Sequence, residues 1–202
     1  MRRLTTATQP SGTLSRFLSP LVLLALMWVV QFADAILPGS FSKWGIRSWD
    51  PSGLLGILFA PLLHSGWPHL IGNSIPFLVL GCIVAAEGAR RFWAVTGVIA
   101  VIGGLGTWIV NTPGTLTVGA SGRVFGYFGY LVARVFAPGR VSHRILYAVI
   151  ALIVIGVYGG TMLAGVFGVS AGISWQGHLF GAVGGALAAF VGRGRSGDRR
   201  AS

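Results

Sequence analysis

Four residues in an otherwise apolar chain have side chains that could do chemistry together. Ser121 is flanked by glycines in the sequence GASG, and His178 follows much later in the chain. His69 and Asn73 are four residues apart, which puts both on one face of a helix. A serine nucleophile, a histidine base and a pair of neutral hydrogen-bond donors are the groups that acyl transfer requires. These residues therefore predict a hydrolytic site if the fold brings them together.

The glycines beside Ser121 have two compatible explanations. Flanked by Gly119 and Gly122 at a helix N-terminus, the serine would have an exposed hydroxyl close to unpaired backbone N–H groups. Those groups point towards any negative charge that develops during a reaction. The alternative is close helix packing, for which membrane helices commonly use glycine, and Gly122 and Gly126 form such a pair.

The histidine motifs also have a catalytic and a structural interpretation. His178, Gly181 and Gly185 are at positions i, i+3 and i+7, so the imidazole shares a face with a stripe of small residues. That stripe would let a glycine-rich helix approach closely, and the run containing Ser121 is the obvious partner. An isolated membrane histidine can equally serve as a hydrogen-bonded structural residue, and His69 and Asn73 could link neighbouring helices.

A metal site is the alternative use of the histidines. His64 precedes the helix of His69 at its outer end, so a zinc site of His64, His69 and His178 is conceivable, and insensitivity to chelators would exclude it. We expect no metal and no cofactor, because the candidate groups suffice for hydrolysis and no carboxylate joins the histidines.

The composition places these motifs in a membrane protein. Of 202 residues, 53% are hydrophobic and 9% charged, 32 are glycine, and the mean hydropathy is +0.77, whereas soluble proteins have about 25% charged residues and about 7% glycine. The net charge of +11 does not indicate nucleic-acid binding, because the arginines lie between apolar runs and form no patch with aromatic residues. Cys82 is the only cysteine, which excludes a disulfide scaffold and a cysteine zinc site.

Six apolar runs predict an all-α membrane protein with six transmembrane helices, since a span needs about 20 apolar residues. The runs cover residues 17–36, 68–86, 92–110, 118–136, 145–163 and 175–191. The first run is too long for a cleavable signal, and five more follow it. Ser121, His69, Asn73 and His178 all fall near the outer ends of their runs, at a depth that water could reach from outside.

Positive charges predict that both termini are cytoplasmic. One side has only Lys43 and Arg47, and the other has twelve arginines: Arg2, Arg3, Arg16, Arg90, Arg91, Arg134, Arg140, Arg144, Arg193, Arg195, Arg199 and Arg200. We predict a disordered cytoplasmic segment over 1–15, a membrane domain over 16–192 and a basic cytoplasmic tail over 193–202. On the outer side, 37–67 is a long connection whose apolar part, 54–63, lies in the membrane interface, and 164–174 is a mobile cap.

The three motifs together resemble the rhomboid family of intramembrane serine proteases. They read His64-x4-His69-x3-Asn73, Gly119-Ala-Ser121-Gly122 and His178-x2-Gly181-x3-Gly185, and they fall on the second, fourth and sixth runs. The resemblance covers about residues 17–192 and rests on the combination of motifs, because each one alone is weak.

The resemblance implies a bundle of six helices in a bacterial plasma membrane that cleaves transmembrane segments of substrate proteins near the outer surface. It implies a Ser121 nucleophile, a His178 base without an acidic third member, and an oxyanion hole from His69, Asn73 and the Ser121 N–H. His64 would line the same cavity, and Phe125 takes a place where the family often has an aromatic residue packed on the histidine.

Two positions depart from the family pattern. Arg123 replaces a small or apolar residue and points about 200° away from Ser121 around the helix. It could pair with Asp34, the one acidic residue in the outer half of a run and a minor candidate for a third catalytic member. Trp44 and Arg47 are not the adjacent Trp-Arg pair of many relatives, which leaves the anchoring role of the outer connection open.

Two other functions remain as alternatives. A catalytically inactive rhomboid-like protein would bind membrane clients, and a fluorophosphonate probe that labels Ser121 would exclude it. A transporter or channel would need ionisable residues along a path through the bilayer, whereas the candidate residues here cluster at one depth. The partners expected are transmembrane substrates and the lipid bilayer, without nucleic acid.

Overall fold

A computed structural model describes residues 15–138, 141–167 and 174–191 of the chain. Seven α-helices and two short strands are present in these ranges. The helices are α1 (Leu18–Ile36), α2 (Gly56–Phe59), α3 (Trp67–Ala85), α4 (Ala89–Val110), α5 (Ser121–Ala133), α6 (Val141–Phe167) and α7 (Trp175–Phe190), and the strands are β1 (Ile46–Arg47) and β2 (Leu116–Thr117). The basic tail, most of the N-terminal segment and the stretch 168–173 of the cap lie outside the described residues.

Six of the helices overlap the six apolar runs, but they differ in length. Among the described residues, four have the length and hydropathy to cross a membrane: α1 with its preceding turn, α3, α4 and α6. The 13 residues of α5 and the 16 residues of α7 extend for only about 20 and 24 Å, less than the roughly 30 Å core of a bilayer. A multi-pass membrane protein follows from the four long helices.

Two boundaries differ from the sequence prediction in ways that affect the site. Helix α5 begins at Ser121 and not at residue 118, because the preceding residues form β2 and a turn at Gly119, whose φ is +116°. Helix α6 continues to Phe167, so residues 164–167 of the predicted cap are helical.

Helices α5 and α7 pack with their backbones in contact, because glycines face each other along both. A Cβ atom at Gly181 would collide with the carbonyl of Gly122, and a Cβ atom at Gly185 would collide with the carbonyl of Gly126. On its other side, Gly181 contacts α4, where a Cβ atom on Gly103 would lie 3.3 Å from the Gly181 Cα. The glycine stripes predicted from the sequence therefore join these three helices and fix the starts of α5 and α7 relative to each other.

The connection between α1 and α3 is anchored to the α4–α5 connection. Strand β1 pairs antiparallel with β2, with Ile46 opposite Thr117. Trp49 stacks on Trp108 with ring centroids 6.0 Å apart, and its Nε1 donates to the Asn111 carbonyl. The Asn111 side chain accepts from Gln176 Nε2 at 3.1 Å, which ties the same connection to the first turn of α7.

A polar cluster around Glu87 joins the helices at the opposite end. Tyr130 donates its hydroxyl to the Glu87 carboxylate at 2.6 Å, and Arg134 pairs with the same carboxylate at 3.3 Å. Arg91 donates to the Tyr130 hydroxyl and to the Ala188 carbonyl at the end of α7. Burial would raise the pKa of Glu87, but hydrogen bonds from tyrosines and Arg134 outweigh it and lower the pKa, so the carboxylate is ionised at neutral pH.

Candidate active site

The hydroxyl of Ser121 and the imidazole of His178 meet at the starts of α5 and α7. Ser121 Oγ lies 2.8 Å from His178 Nε2, which is a hydrogen bond of normal length. The contact depends on the glycine packing, because side chains between the two helices would hold them further apart. Two residues remote in sequence thus have the geometry that a nucleophile and its base require.

The other imidazole nitrogen of His178 bonds to the backbone of α6. His178 Nδ1 lies 2.8 Å from the carbonyl oxygen of Gly165, which can only accept a hydrogen bond. That contact assigns the proton to Nδ1 and leaves Nε2 free to accept the serine proton. Asp34 does not fill this place, since its carboxylate accepts from the backbone N–H of Phe41. Within the described residues, His178 Nδ1 thus has a backbone carbonyl in the place that an acidic side chain takes in a Ser-His-Asp triad.

Gly165 contributes to the site in a way that the sequence did not predict. A Cβ atom at this position would lie 2.9 Å from His178 Nδ1 and 2.5 Å from the Phe125 ring. Phe125 stacks on His178 in nearly parallel planes, 3.9 Å apart between centroids, so the imidazole is held between Phe125 and the α6 backbone. No sequence signal distinguishes Gly165 among 32 glycines, because its contribution is a carbonyl and an absent side chain.

Of the predicted oxyanion residues, His69 lies beside the turn that precedes Ser121. The His69 ring contacts Gly119, where a Cβ atom would be 2.6 Å from His69 Cε1, so this position has no room for a side chain. Asn73 is buried and donates one amide hydrogen to the His69 carbonyl at 3.0 Å, which leaves its second amide hydrogen available. The Ser121 N–H is in the first turn of α5, where helices have no internal acceptor.

His64 supports the turn before Ser121. Its ring is buried, and its Nε2 accepts from the Ala120 N–H at 3.4 Å. Burial, together with the nearby His69, lowers the pKa of His64 to about 4, so the ring is neutral at pH 7 and remains an acceptor. In the part of the chain that the structure describes, no three histidine, cysteine or acidic side chains form a cluster suited to a metal ion, and His64, His69 and His178 do not form one.

Arg123 does not form the ion pair with Asp34 that the sequence suggested. Its Nε and Nη1 atoms are buried and have no hydrogen-bond partner among the described residues. Arg123 interacts electrostatically with Tyr127, one turn further along α5, and it is among the residues that border a small cavity beside α2 and α4. Asp34 is occupied at the end of α1, where its carboxylate accepts from the Phe41 N–H.

Comparisons with known proteins agree with this geometry. The Rhomboid domain model matches residues 51–195. The chain is 42% identical over 178 residues to the uncharacterized protein Rv1337 of Mycobacterium tuberculosis, covering 85% of this chain and 72% of that protein, and 38% identical to ML1171 of Mycobacterium leprae, covering 85% and 69%. It is 32% identical over 132 residues to the Bacillus subtilis protein named "Putative rhomboid protease YdcA", covering 64% and 63%. The chain therefore belongs to the rhomboid family.

Proposed function

We propose that this protein is an intramembrane serine endopeptidase that uses a Ser121–His178 dyad. The observation that carries the proposal is the 2.8 Å contact between the serine hydroxyl and an imidazole whose other nitrogen is bonded to a carbonyl. Membership in the rhomboid family supports the same conclusion. The substrates would be transmembrane segments of other proteins, cleaved close to the outer membrane surface.

The reaction would proceed by acyl transfer. Ser121 Oγ attacks the peptide carbonyl while its proton passes to His178 Nε2, and the resulting imidazolium is stabilised by the Gly165 carbonyl at Nδ1. The Ser121 N–H, His69 and the free amide hydrogen of Asn73 would stabilise the oxyanion, and each such donor is commonly worth about 3 kcal/mol in the transition state. His178 then protonates the leaving amine. A water molecule, deprotonated by His178, hydrolyses the acyl-enzyme and restores the serine.

The arrangement of helices suggests how a substrate could enter. Helices α3 and α6 are separated by an apolar groove of about 240 Å³, lined by side chains such as Val79, Ile83, Ile153 and Val157. Helix α6 packs mainly against α5 and α7, so it could move away from α3 without breaking the dyad helices apart. With six helices in the membrane and both termini in the cytoplasm, Ser121 and this groove would lie towards the outer leaflet. The two short helices, α5 and α7, would then begin below the outer surface of the membrane.

The first test is cleavage of a panel of single-span reporters by the purified protein in liposomes. Ser121→Ala and His178→Ala should each abolish cleavage, and a fluorophosphonate should label the wild type but not Ser121→Ala. Ser42→Ala and His143→Ala are matched controls, because neither side chain contacts the site, and both should retain cleavage and labelling. Cleavage by the Ser121→Ala variant would refute the dyad. Folded wild-type protein that neither cleaves nor is labelled would favour the inactive, client-binding alternative.

A further inference from the structure

Asn111, the residue that follows α4, has a buried side chain whose amide is hydrogen-bonded through both its nitrogen and its oxygen. Its Nδ2 donates to Thr117 Oγ1 at 3.3 Å, and its Oδ1 accepts from Gln176 Nε2 at 3.1 Å. The Thr112 N–H also donates to Oδ1, at 2.9 Å, and because an N–H can only donate, this bond identifies the oxygen of the amide. The side chain is therefore held in one orientation.

The two side-chain partners of Asn111 lie shortly before the candidate nucleophile and base in the chain. Thr117 is in β2, four residues before Ser121, and Gln176 is in the first turn of α7, two residues before His178. One side chain thus joins the segment that leads to the serine hydroxyl to the segment that leads to the imidazole. The link lies at the same end of the bundle as the 2.8 Å contact between those two groups.

The bonds of Asn111 add a directional restraint to the glycine packing of α5 and α7. Gly181 and Gly185 bring α7 into backbone contact with α5. Apolar packing of this kind is non-directional, whereas a hydrogen bond depends on both distance and angle. A reacting pair needs that precision, because a displacement of about 1 Å can cost about 100-fold in rate.

We propose that Asn111 is a positioning residue that keeps Ser121 and His178 at the distance that proton transfer requires. The inference rests on the proposed function and adds to it a residue that acts through Thr117 and Gln176. Without this link, the serine hydroxyl and the imidazole separate and the chemical step slows. Substrate binding along the groove between α3 and α6 does not change, because none of the three linked residues lines that groove.

The test measures cleavage of a single-span reporter by variants that break the link. Asn111→Leu removes the whole amide, and Gln176→Met removes only the bond to α7. We expect kcat to fall by about 10- to 100-fold in Asn111→Leu and by about 3- to 10-fold in Gln176→Met, with KM changed by less than about twofold. The rate at which a fluorophosphonate labels Ser121 should fall by similar factors, because it depends on the dyad and not on a transmembrane substrate.

Thr96→Val is the matched control, because it also removes a buried hydrogen bond between helices. The Thr96 hydroxyl lies 2.8 Å from the Tyr127 hydroxyl, in the middle of α4 and α5 and away from the starts of α5 and α7. The control should lower the unfolding temperature, as Asn111→Leu does. Its kcat and its rate of labelling at Ser121 should remain close to the wild-type values.

The labelling rate allows this inference and the proposed function to fail separately. A wild-type labelling rate in folded Asn111→Leu or folded Gln176→Met would overturn the positioning role and leave the protease intact. A fall of the same size in Thr96→Val would also overturn it, since loss of any buried bond would then slow the dyad. If Asn111→Leu does not fold, the comparison of Gln176→Met with Thr96→Val decides. Wild-type protein that is neither labelled nor active would remove the proposed function, and this inference with it.

Discussion

At the scale of single residues, the positions of His178 and His69 depend on glycines, which have no side chain. Gly165 supplies a carbonyl to His178 Nδ1, and its missing Cβ atom leaves room for the imidazole and the Phe125 ring. Gly119 likewise leaves room for the His69 ring, because a Cβ atom there would collide with it. The polar residues of the site could be chosen from the sequence by their types, but these backbone contributions could not.

Gly165→Ala should lower activity without unfolding the protein. The new methyl group would lie 2.9 Å from His178 Nδ1, so the imidazole must shift, and a displacement of about 1 Å can cost about 100-fold in rate. We expect kcat for a cleavable reporter to fall by roughly 10- to 100-fold, with little change in KM. Gly160→Ala is the matched control on the same helix, because a Cβ atom there meets nothing within 4 Å. Equal activity of the two variants would contradict the positioning role of Gly165.

Arg123 marks the limit of residue-level prediction. The partner considered for it, Asp34, was wrong, because that carboxylate accepts from the Phe41 N–H. The sequence does not show that the α1–α3 connection folds back, so that the Phe41 N–H reaches the Asp34 carboxylate. The sequence also could not predict the cavity that Arg123 borders, because the residues of α2 and α4 that line it are remote from each other in the chain.

At the scale of elements, each of the six hydrophobic runs overlaps a helix, but only four of these helices are long enough to span a membrane, and the helix ends follow local geometry. The predicted run 118–136 became a helix only from Ser121, because residues before it pair with β1 and turn at Gly119. The glycine spacing in the last two motifs carried more structural information than hydropathy did, since it predicted which two helices touch.

Gly185→Ala should destabilise the contact between α5 and α7. Its Cβ atom would collide with the Gly126 carbonyl, and relief requires the two helices to separate. Overpacking of this kind typically costs about 1–3 kcal/mol, so thermal unfolding in detergent should begin at a lower temperature and cleavage should fall with it. Gly97→Ala on α4, where a Cβ atom meets nothing within 4 Å, should be as stable as the wild type or more so. Equal unfolding temperatures for the two variants would argue against backbone contact at this point.

At the scale of the whole molecule, the bundle is fastened at both ends by polar groups. Asn111 links the α1–α3 connection, through Trp49, to α7, and Glu87 links the α3–α4 turn to Tyr130 of α5 and to Arg134. The charge count put Arg91 and Arg134 on the same side of the membrane, but it could not show that they meet around the Glu87 carboxylate and the Tyr130 hydroxyl.

Glu87 should make stability depend on pH. Because its folded pKa lies below the ordinary value of 4.5, the ionised carboxylate stabilises the fold above that pH, and this contribution is lost as the pH falls through the lowered pKa. Glu87→Gln should lower the free energy of unfolding at pH 7 by about 1–3 kcal/mol and flatten its decline between about pH 5 and pH 3. Arg90→Gln, an exposed neighbour, is the control and should follow the wild-type curve. Parallel curves for wild type and Glu87→Gln would contradict this role.

The bond between Gly165 and His178 couples the position of α6 to the orientation of the imidazole. The acceptor for the imidazole belongs to α6, the same helix that borders the groove facing α3, while the nucleophile and base sit on the firmly joined α5 and α7. Any swing of α6 that widens the groove by moving its Gly165 end also withdraws the oxygen that orients the base. In the proposed protease, therefore, His178 would be fully oriented only after α6 has closed again on the bound substrate.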